Sequence, residues 1–501
     1  MADPPTPPVT SALPPGDRPE HLSEMSEDEA ALAALGYKQE FKREFSAWTT
    51  FAVSFAVMGL LPSIATTMWY GIGYAGPAAN TWGWLLSVVF ILCVASSMAE
   101  LASSMPTSGG LYYASAVMAG PRFGPFAAWI TGWSNWFVQV TGAPSVDYGC
   151  DYVPNEWQTF LLTVFIMITH ACISSMPTLW IANFNSVGTV INILCLVITI
   201  IIIPAAATSV PKFESNEFAW GIQNFTDWPD GVAVLMSFLA IIWTMSGYDV
   251  DEIINSDLGQ PWAAYLVQVL PQSVAIAVLA MTIICAYSMG QGCMVAASRV
   301  CFAYARDDCF GALSRPLKKV NRHTQTPVNA VWFNTSIGIV LNLLIFGGVA
   351  IGAIFSIGAI AAYVAFAVPI LIKTVFVGNK FRRGPWHLGW FSLPSGILSV
   401  SFVLVMMPIL CFPTVRDADL TPDLMNWTSL VYGAPMLFVI IWFVVDARKW
   451  FKGPKINIEH HMLHQDLSAH PGVVGIDPED VVPVGKDADV EKGSSDKKMV
   501  V

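Results

Sequence analysis

The chain is built from long apolar segments, each almost free of Asp, Glu, Lys and Arg, that alternate with short polar stretches. A segment of about twenty such residues is long enough for an α-helix to cross about 30 Å of hydrocarbon. There are eleven segments of this kind, near residues 46–70, 82–104, 124–143, 157–176, 187–207, 232–248, 271–295, 328–347, 350–376, 394–413 and 428–445. The pattern predicts an all-α integral membrane protein, with a multi-pass transmembrane domain over residues 36–452.

Composition agrees with this prediction. Of the 501 residues, 54% are hydrophobic and 12% are charged, whereas charged residues make up about 25% of a typical soluble domain. Residues 1–35 and 453–501 are polar and charged, with many prolines in the first stretch, and we expect both to be disordered cytosolic tails. The net charge of −11 comes mainly from the tails and the 211–230 loop. It therefore predicts no nucleic-acid partner, and the lipid bilayer is the expected environment.

Clusters of Lys and Arg indicate which span ends face the cytoplasm. Four clusters are expected there, at residues 38–43, 299–322, 373–383 and 448–455. The sequons that begin at Asn224 and Asn426 fall in loops predicted to lie outside, which agrees with the charge map.

The charge map has one inconsistency. An even number of crossings must separate the clusters at 38–43 and 299–322, yet seven apolar segments lie between them. Either one crossing is missing or one segment does not cross. The expected location is just after Asp249, where the sixth apolar segment runs directly into acidic sequence.

Two apolar segments contain helix-breaking sequences. The first is interrupted at 59–67 (GLLPSIATT) and the sixth at 244–249 (TMSGYD). Broken helices in matching positions of two halves indicate a transporter's substrate site, because they free backbone groups in mid-membrane. The positive end of a half-helix suits a carboxylate and free carbonyls suit an ammonium, so the pair predicts an amino acid. A simple Pro or Gly kink is the alternative for each break. The predicted substrate-binding residues are Gly59, Pro62, Ser63, Ile64, Ala65, Thr66, Ser246, Gly247, Tyr248 and Asp249.

Other polar residues in the spans have two interpretations each. Glu100 either is a carboxylate at the membrane edge or gates the cytoplasmic side. Asn135, Gln139 and Gln291 either line a substrate pathway or form hydrogen bonds between helices. Asp249 either contacts substrate or marks the end of a span.

The sequence lacks the motifs of common enzymes and pumps. There is no GxxxxGK[ST], HExxH or GxSxG motif. The nine cysteines are scattered without a CxxC pair, which favours buried thiols over a metal site or disulfides. We therefore expect no enzymatic activity, no cofactor and no metal.

Several separate motifs together resemble one transporter family. They are Leu35-Gly36-Tyr37-Lys38, the 59–65 break, Ala99-Glu100 with 106–110 (PTSGG), 243–249 (WTMSGYD), and Met289-Gly290-Gln291-Gly292 with Ser298-Arg299. Over about residues 35–460 the chain resembles the fungal amino-acid/choline branch of the amino acid, polyamine and organocation superfamily, which contains the GABA permeases. The resemblance implies twelve spans, a LeuT-like inverted repeat and substrate held at the two breaks. It also implies that about forty residues, one span with its loops, are absent after Asp249, and that a shorter stretch is absent between Cys150 and Asp151.

These observations predict a secondary transporter of GABA or a related amino acid that works by alternating access. A proton is the candidate coupling ion. The plasma membrane is favoured over the vacuole, with both tails cytosolic if the missing span is restored. The alternatives are a permease for choline or another organic cation, using cation–π contacts with Tyr248 and Trp243, and a transport-defective splice or gene-model product. A nutrient-sensing relative that binds without transport is a further alternative.

Overall fold

The computed structural model describes residues 46–107, 109–149, 155–208, 215–246, 261–347, 349–381, 383–413, 415–416 and 425–454. Apart from Gly453 and Pro454, both predicted tails lie outside these ranges, as do Gly247, Tyr248 and Asp249 of the second predicted break. The site of the shorter predicted gap, at Cys150 and Asp151, also lies outside them.

The described residues form helices and no β-strand, so the predicted fold class is confirmed. In chain order the α-helices are α1 Ala47–Met58, α2 Leu60–Ala75, α3 Trp84–Ser104, α4 Leu111–Gly149, α5 Glu156–Ser174, α6 Thr178–Ala206, α7 Asn216–Trp220, α8 Asp230–Ser246, α9 Pro261–Val269, α10 Gln272–Arg306, α11 Ser314–Leu317, α12 Val328–Asn342, α13 Val349–Leu371, α14 Ser392–Ile409, α15 Thr428–Trp442 and α16 Arg448–Trp450. Wider π-helical turns are Ala79–Gly83, Ile372–Val377 and Phe443–Ala447, and tighter 3₁₀ turns are Gly311–Leu313, Leu343–Gly347, Gly378–Lys380 and Gly389–Phe391.

Each of the eleven predicted apolar segments coincides with helix. Within the described ranges, nine helical stretches are long and apolar enough to cross a membrane. The other two segments correspond to α4 and α8. α4 is 39 residues long, bends at Gly120 and contains polar residues such as Asn135 and Gln139, whereas the described part of α8, to Ser246, has 17 residues.

Contacts between helices define the two ends of the bundle. α1 and α2 run parallel to α6: the Thr189 hydroxyl donates to the Ala52 carbonyl (2.7 Å), and Leu61 shares a buried cluster with Cys195. The end of α2 and the end of α6 therefore lie at one end of the bundle. The other end contains the start of α1 and the end of α3. The turn that follows α13 lies there too, because Lys373 in this turn pairs with Glu100 of α3.

Charge is distributed unequally between these ends. The described Lys and Arg residues, apart from Arg416, belong to the end that contains Lys373, here called the basic end. They are Arg122, Arg299, Arg306, Arg315, Lys318, Lys319, Arg322, Lys373, Lys380, Arg383, Arg448, Lys449 and Lys452. α1 begins at the basic end. α16 ends there too, because its last residue, Trp450, lies 3.7 Å from the Cβ position of Gly311, just after α10. Both ends of the described chain thus lie on one side of the bundle.

α8 begins and α9 ends at the same end of the bundle. α8 begins at the end opposite the basic end, where the Gln223 N–H donates to the Ala75 carbonyl (3.1 Å). α9 ends there too, because the Thr208 N–H donates to the Val269 carbonyl (2.8 Å). This shared end agrees with the even number of crossings that the charge map requires between the basic clusters at 38–43 and 299–322.

The side chains fit a bundle with a lipid-facing surface. Large apolar residues such as Leu404 and Phe438 are more than half exposed, while the interior contains small and polar side chains. Ser97 and Ser395 share a hydrogen bond between α3 and α14 (3.1 Å), and the Trp129 indole donates to the Val439 carbonyl (3.0 Å). Helices in lipid associate through this kind of close packing and interhelical hydrogen bonding.

Candidate substrate site

The predicted break in the first span is present at a single residue. α1 ends at Met58, and Gly59 adopts φ 45° and ψ 60°, a left-handed conformation that only glycine adopts readily. α2 starts at the next residue, with Pro62 in its first turn, where the missing proline N–H costs no helical hydrogen bond. The sequence Gly-Leu-Leu-Pro therefore divides the span into two half-helices.

Ser63 and Met289 complete this junction. The Ser63 N–H donates to the Gly59 carbonyl (2.9 Å). Its hydroxyl donates to the Met58 carbonyl (2.7 Å), for which Pro62, four residues later, has no N–H to offer. Met289 of α10 packs directly on Gly59, because a Cβ added at Gly59 would lie 2.4 Å from the methionine sulfur. Sequence reasoning noted Met289 only as part of a motif and missed this contact, which depends on tertiary packing.

The end of α8 lies at about the same depth as this break. Ala75 at the end of α2 and Ala233 near the start of α8 share a small buried cluster, and the two helices pack antiparallel. Pro62 lies thirteen residues before Ala75 on α2, and Ser246 lies thirteen residues after Ala233 on α8, about 20 Å along each helix. Ser246, the last described residue of α8, therefore lies at about the level of Pro62.

The first-break residues face the protein interior. Pro62, Ser63 and Ala65 are buried, and Ile64 is partly buried. Thr66 continues α2, and Ser246 is the last residue of α8. Gly247, Tyr248 and Asp249 lie outside the described residues.

Glu100 is fully buried and forms an ion pair with Lys373, which is itself almost fully buried. The Ser392 hydroxyl donates to the same carboxylate oxygen, Oε2, at 2.6 Å. The pair joins α3 to the turn that follows α13, and Ser392 adds the start of α14. Sequence reasoning assigned Lys373 to a cytoplasmic charge cluster and missed its burial. A charge near a span end does not reveal whether a buried partner exists.

Two of the other polar candidates, Asn135 and Gln291, form interhelical hydrogen bonds. The Asn135 amide donates to the Tyr304 hydroxyl (2.8 Å), which joins α4 to α10. The Gln291 amide donates to the Ser174 hydroxyl (2.9 Å), which joins α10 to α5, while its Oε1 has no partner within the described ranges. Gln139 is partly buried one turn after Asn135.

Comparison with known proteins agrees with this architecture. A family model described as amino acid permease matches residues 45–251 and 250–441. The match covers most of the chain, and its two parts meet at residues 250 and 251. This junction lies beside Asp249, where the sequence predicts an absent stretch.

Several relatives are similar over nearly their whole length. A protein of Schizosaccharomyces pombe named as an uncharacterized amino-acid permease is 48% identical, covering 93% of this chain and 97% of its own. A Candida albicans protein named as a putative polyamine transporter is 43% identical, covering 86% and 89%. The amino-acid permease BAT1 of Arabidopsis thaliana is 27% identical, covering 87% and 97%.

The alignment with the S. pombe protein is longer than the chain itself. It extends over 529 positions, whereas the chain has 501 residues. The aligned share of this chain is 93% of 501, about 466 residues, so about sixty of the 529 positions have no residue here. The relative therefore contains internal sequence that this chain does not.

Proposed function

We propose that this chain, which belongs to the amino acid permease family, is a multi-pass secondary transporter. We further propose that it binds an amino acid at the junction of α1 and α2. In this proposal Gly59, Pro62, Ser63, Ile64, Ala65 and Thr66 contact the substrate from one side, and Ser246, Gly247, Tyr248 and Asp249 from the other. The preferred substrate is GABA or a related amino acid, with a proton as the candidate coupling ion. Alternating access would follow from movement of the broken helices against the remaining bundle.

The observation that carries this proposal is the break at Gly59, which lies at about the level of Ser246 in α8. The N-terminus of α2 points its partial positive charge into the interior at that level, which suits a substrate carboxylate. The carbonyl end of α1 meets it from the other side, which suits an ammonium group. A bifunctional ligand with both groups fits this pair of charges better than a simple cation.

The experiment is uptake of GABA and of putrescine by cells without their own permeases. The two compounds have chains of four carbons and differ in that GABA carries a carboxylate where putrescine carries a second ammonium. Saturable uptake of GABA that putrescine does not inhibit supports the amino-acid proposal. Uptake of putrescine with no effect of GABA would refute it and favour a polyamine, the substrate for which the Candida albicans relative is named. Choline in the same panel tests the organic-cation alternative.

A second comparison tests the absent stretch. The chain is assayed beside a version that carries, after Asp249, the corresponding residues of the 48% identical S. pombe relative. Uptake by both versions would mean that the stretch is dispensable. Uptake by the extended version alone would mean that this chain is a transport-defective form of a permease. Substrate binding without uptake would favour a sensing role.

The basic end is proposed to be cytoplasmic, because Lys and Arg concentrate on that side of membrane proteins. Both tails would then be cytosolic without restoring any span. The plasma membrane is proposed as the location.

A further inference from the structure

A cleft opens at the basic end, between the turns that follow α13 and the start of α14. Its volume is about 420 Å³. Its lining includes Lys373, Thr374 and Phe381 from the turns that follow α13, Arg383, and Trp390 and Ser392 from the start of α14 and the turn before it. The cleft is separate from the α1–α2 junction, and transport as proposed above makes no use of it.

The charges in the cleft favour an anion. Two of its lining residues, Lys373 and Arg383, are basic, and none is acidic. Glu100 lies behind Lys373 and balances that charge. Arg383 is exposed, has no carboxylate within ion-pair distance among the described residues, and is close enough to Lys373 for the two positive charges to repel each other. An anion in the cleft would relieve this repulsion.

The surroundings of the cleft indicate where that anion comes from. Two lining residues, Trp390 and Leu393, are 84% and 54% exposed, and Phe376, in the turn that follows α13, is 75% exposed. Exposed apolar side chains beside basic residues are typical of the boundary between hydrocarbon and lipid headgroups, where tryptophan is enriched. A soluble anion would leave these apolar residues exposed to water, whereas the acyl chains of a lipid would cover them.

We propose that this cleft binds the headgroup of an anionic phospholipid from the leaflet at the basic end. Arg383 supplies the net positive charge, and the ammonium of Lys373 adds a donor beside its bond to Glu100. The exposed ring of Trp390 packs against the lipid backbone. The ligand class is a phospholipid with net negative charge, as distinct from a zwitterionic one.

The test is native mass spectrometry of the purified full chain, titrated with phosphatidylserine or with phosphatidylcholine. Both lipids carry a phosphate, but only phosphatidylserine has a net negative charge. Arg383→Gln removes the charge at the cleft. Arg416→Gln is the matched control, because Arg416 is also exposed and stands over a ring, that of Trp228 at 4.5 Å, at the opposite end of the bundle.

The chain is expected to retain phosphatidylserine in preference to phosphatidylcholine. Arg383→Gln should weaken this retention about fivefold, the contribution of one basic residue at an anionic membrane surface, and Arg416→Gln should leave it unchanged. Equal retention by both variants would overturn the proposal, because general charge would then explain binding.

A third arm distinguishes lipid from free phosphate. Inorganic phosphate is compared with chloride at equal ionic strength, and thermal unfolding of the chain is followed. If inorganic phosphate stabilises the chain only when Arg383 is present, and the two lipids are retained equally, the cleft is a site for a small anion. This result would refute the lipid assignment. Neither result depends on which substrate the chain transports.

Discussion

At the scale of single residues, the α1–α2 junction depends on a glycine for two reasons. Gly59 has a left-handed backbone conformation, and its missing side chain makes room for Met289. The sequence motif predicted the break, because glycine and proline within an apolar run have local consequences. It could not predict Met289 as the packing partner, since a contact across 230 positions leaves no local pattern.

Gly59→Ala should abolish most uptake and destabilise the chain. The left-handed conformation costs about 1–2 kcal/mol for a residue with a Cβ, and that Cβ would overlap the sulfur of Met289. Gly59→Ala with Met289→Ala should recover the part due to overlap but not the backbone strain. Uptake and thermal unfolding are measured for each variant. Gly433→Ala, where a Cβ meets open space, is the control and should behave as the unmodified chain does.

The buried pair Glu100–Lys373 makes a different prediction. Glu100→Gln or Lys373→Met alone leaves one charge buried without its partner, which costs about 3–5 kcal/mol. The double variant removes both charges and should be closer in stability to the unmodified chain than either single variant is. Melting temperatures of the detergent-purified proteins test this. If the double variant loses as much stability as the two single variants together, the two charges are not coupled.

At the scale of helices, apolar length and the absence of charged residues located all eleven segments. These features report burial in lipid, which each helix experiences by itself, so they can be read without knowledge of the fold. The first part of α4, from Leu111 to the bend at Gly120, lies outside every predicted segment. It is too short to span a bilayer by itself, so its length is no signal of a span.

The loop between α14 and α15 depends on Asn426. Its amide donates to the Leu410 and Phe412 carbonyls (3.0 and 3.2 Å), and its oxygen accepts from the Thr428 N–H (3.1 Å). These bonds connect the end of one helix to the start of the next. Asn426 also begins a sequon, so its polar atoms have a structural use independent of glycosylation.

Asn426→Ala should therefore lower the free energy of unfolding by about 1–2 kcal/mol. The measurement is thermal unfolding of the variant beside the unmodified chain, each before and after enzymatic deglycosylation. The loss should persist in the deglycosylated pair. If the deglycosylated unmodified chain melts at the temperature of the variant, a lost glycan rather than lost hydrogen bonds explains the effect.

At the scale of the whole molecule, the asymmetric charge predicts orientation. Cysteine introduced at Phe225, which is 64% exposed at the end opposite the basic end, should react with a membrane-impermeant thiol reagent in intact cells. Cysteine introduced at Arg322, at the basic end, should react only after permeabilisation. Both are made in a chain in which the exposed Cys172 is replaced by Ser. The reverse labelling pattern would show that the basic end faces the outside of the cell, opposite to the proposed topology.

The placement of α8 and α9 has a consequence for the helices that follow them. Because α8 begins and α9 ends at the same end of the bundle, the stretch between Asp230 and Val269 contributes no net crossing. The orientation of α10 to α16 is therefore fixed without it. A stretch inserted after Asp249 would preserve that orientation only if it added an even number of crossings.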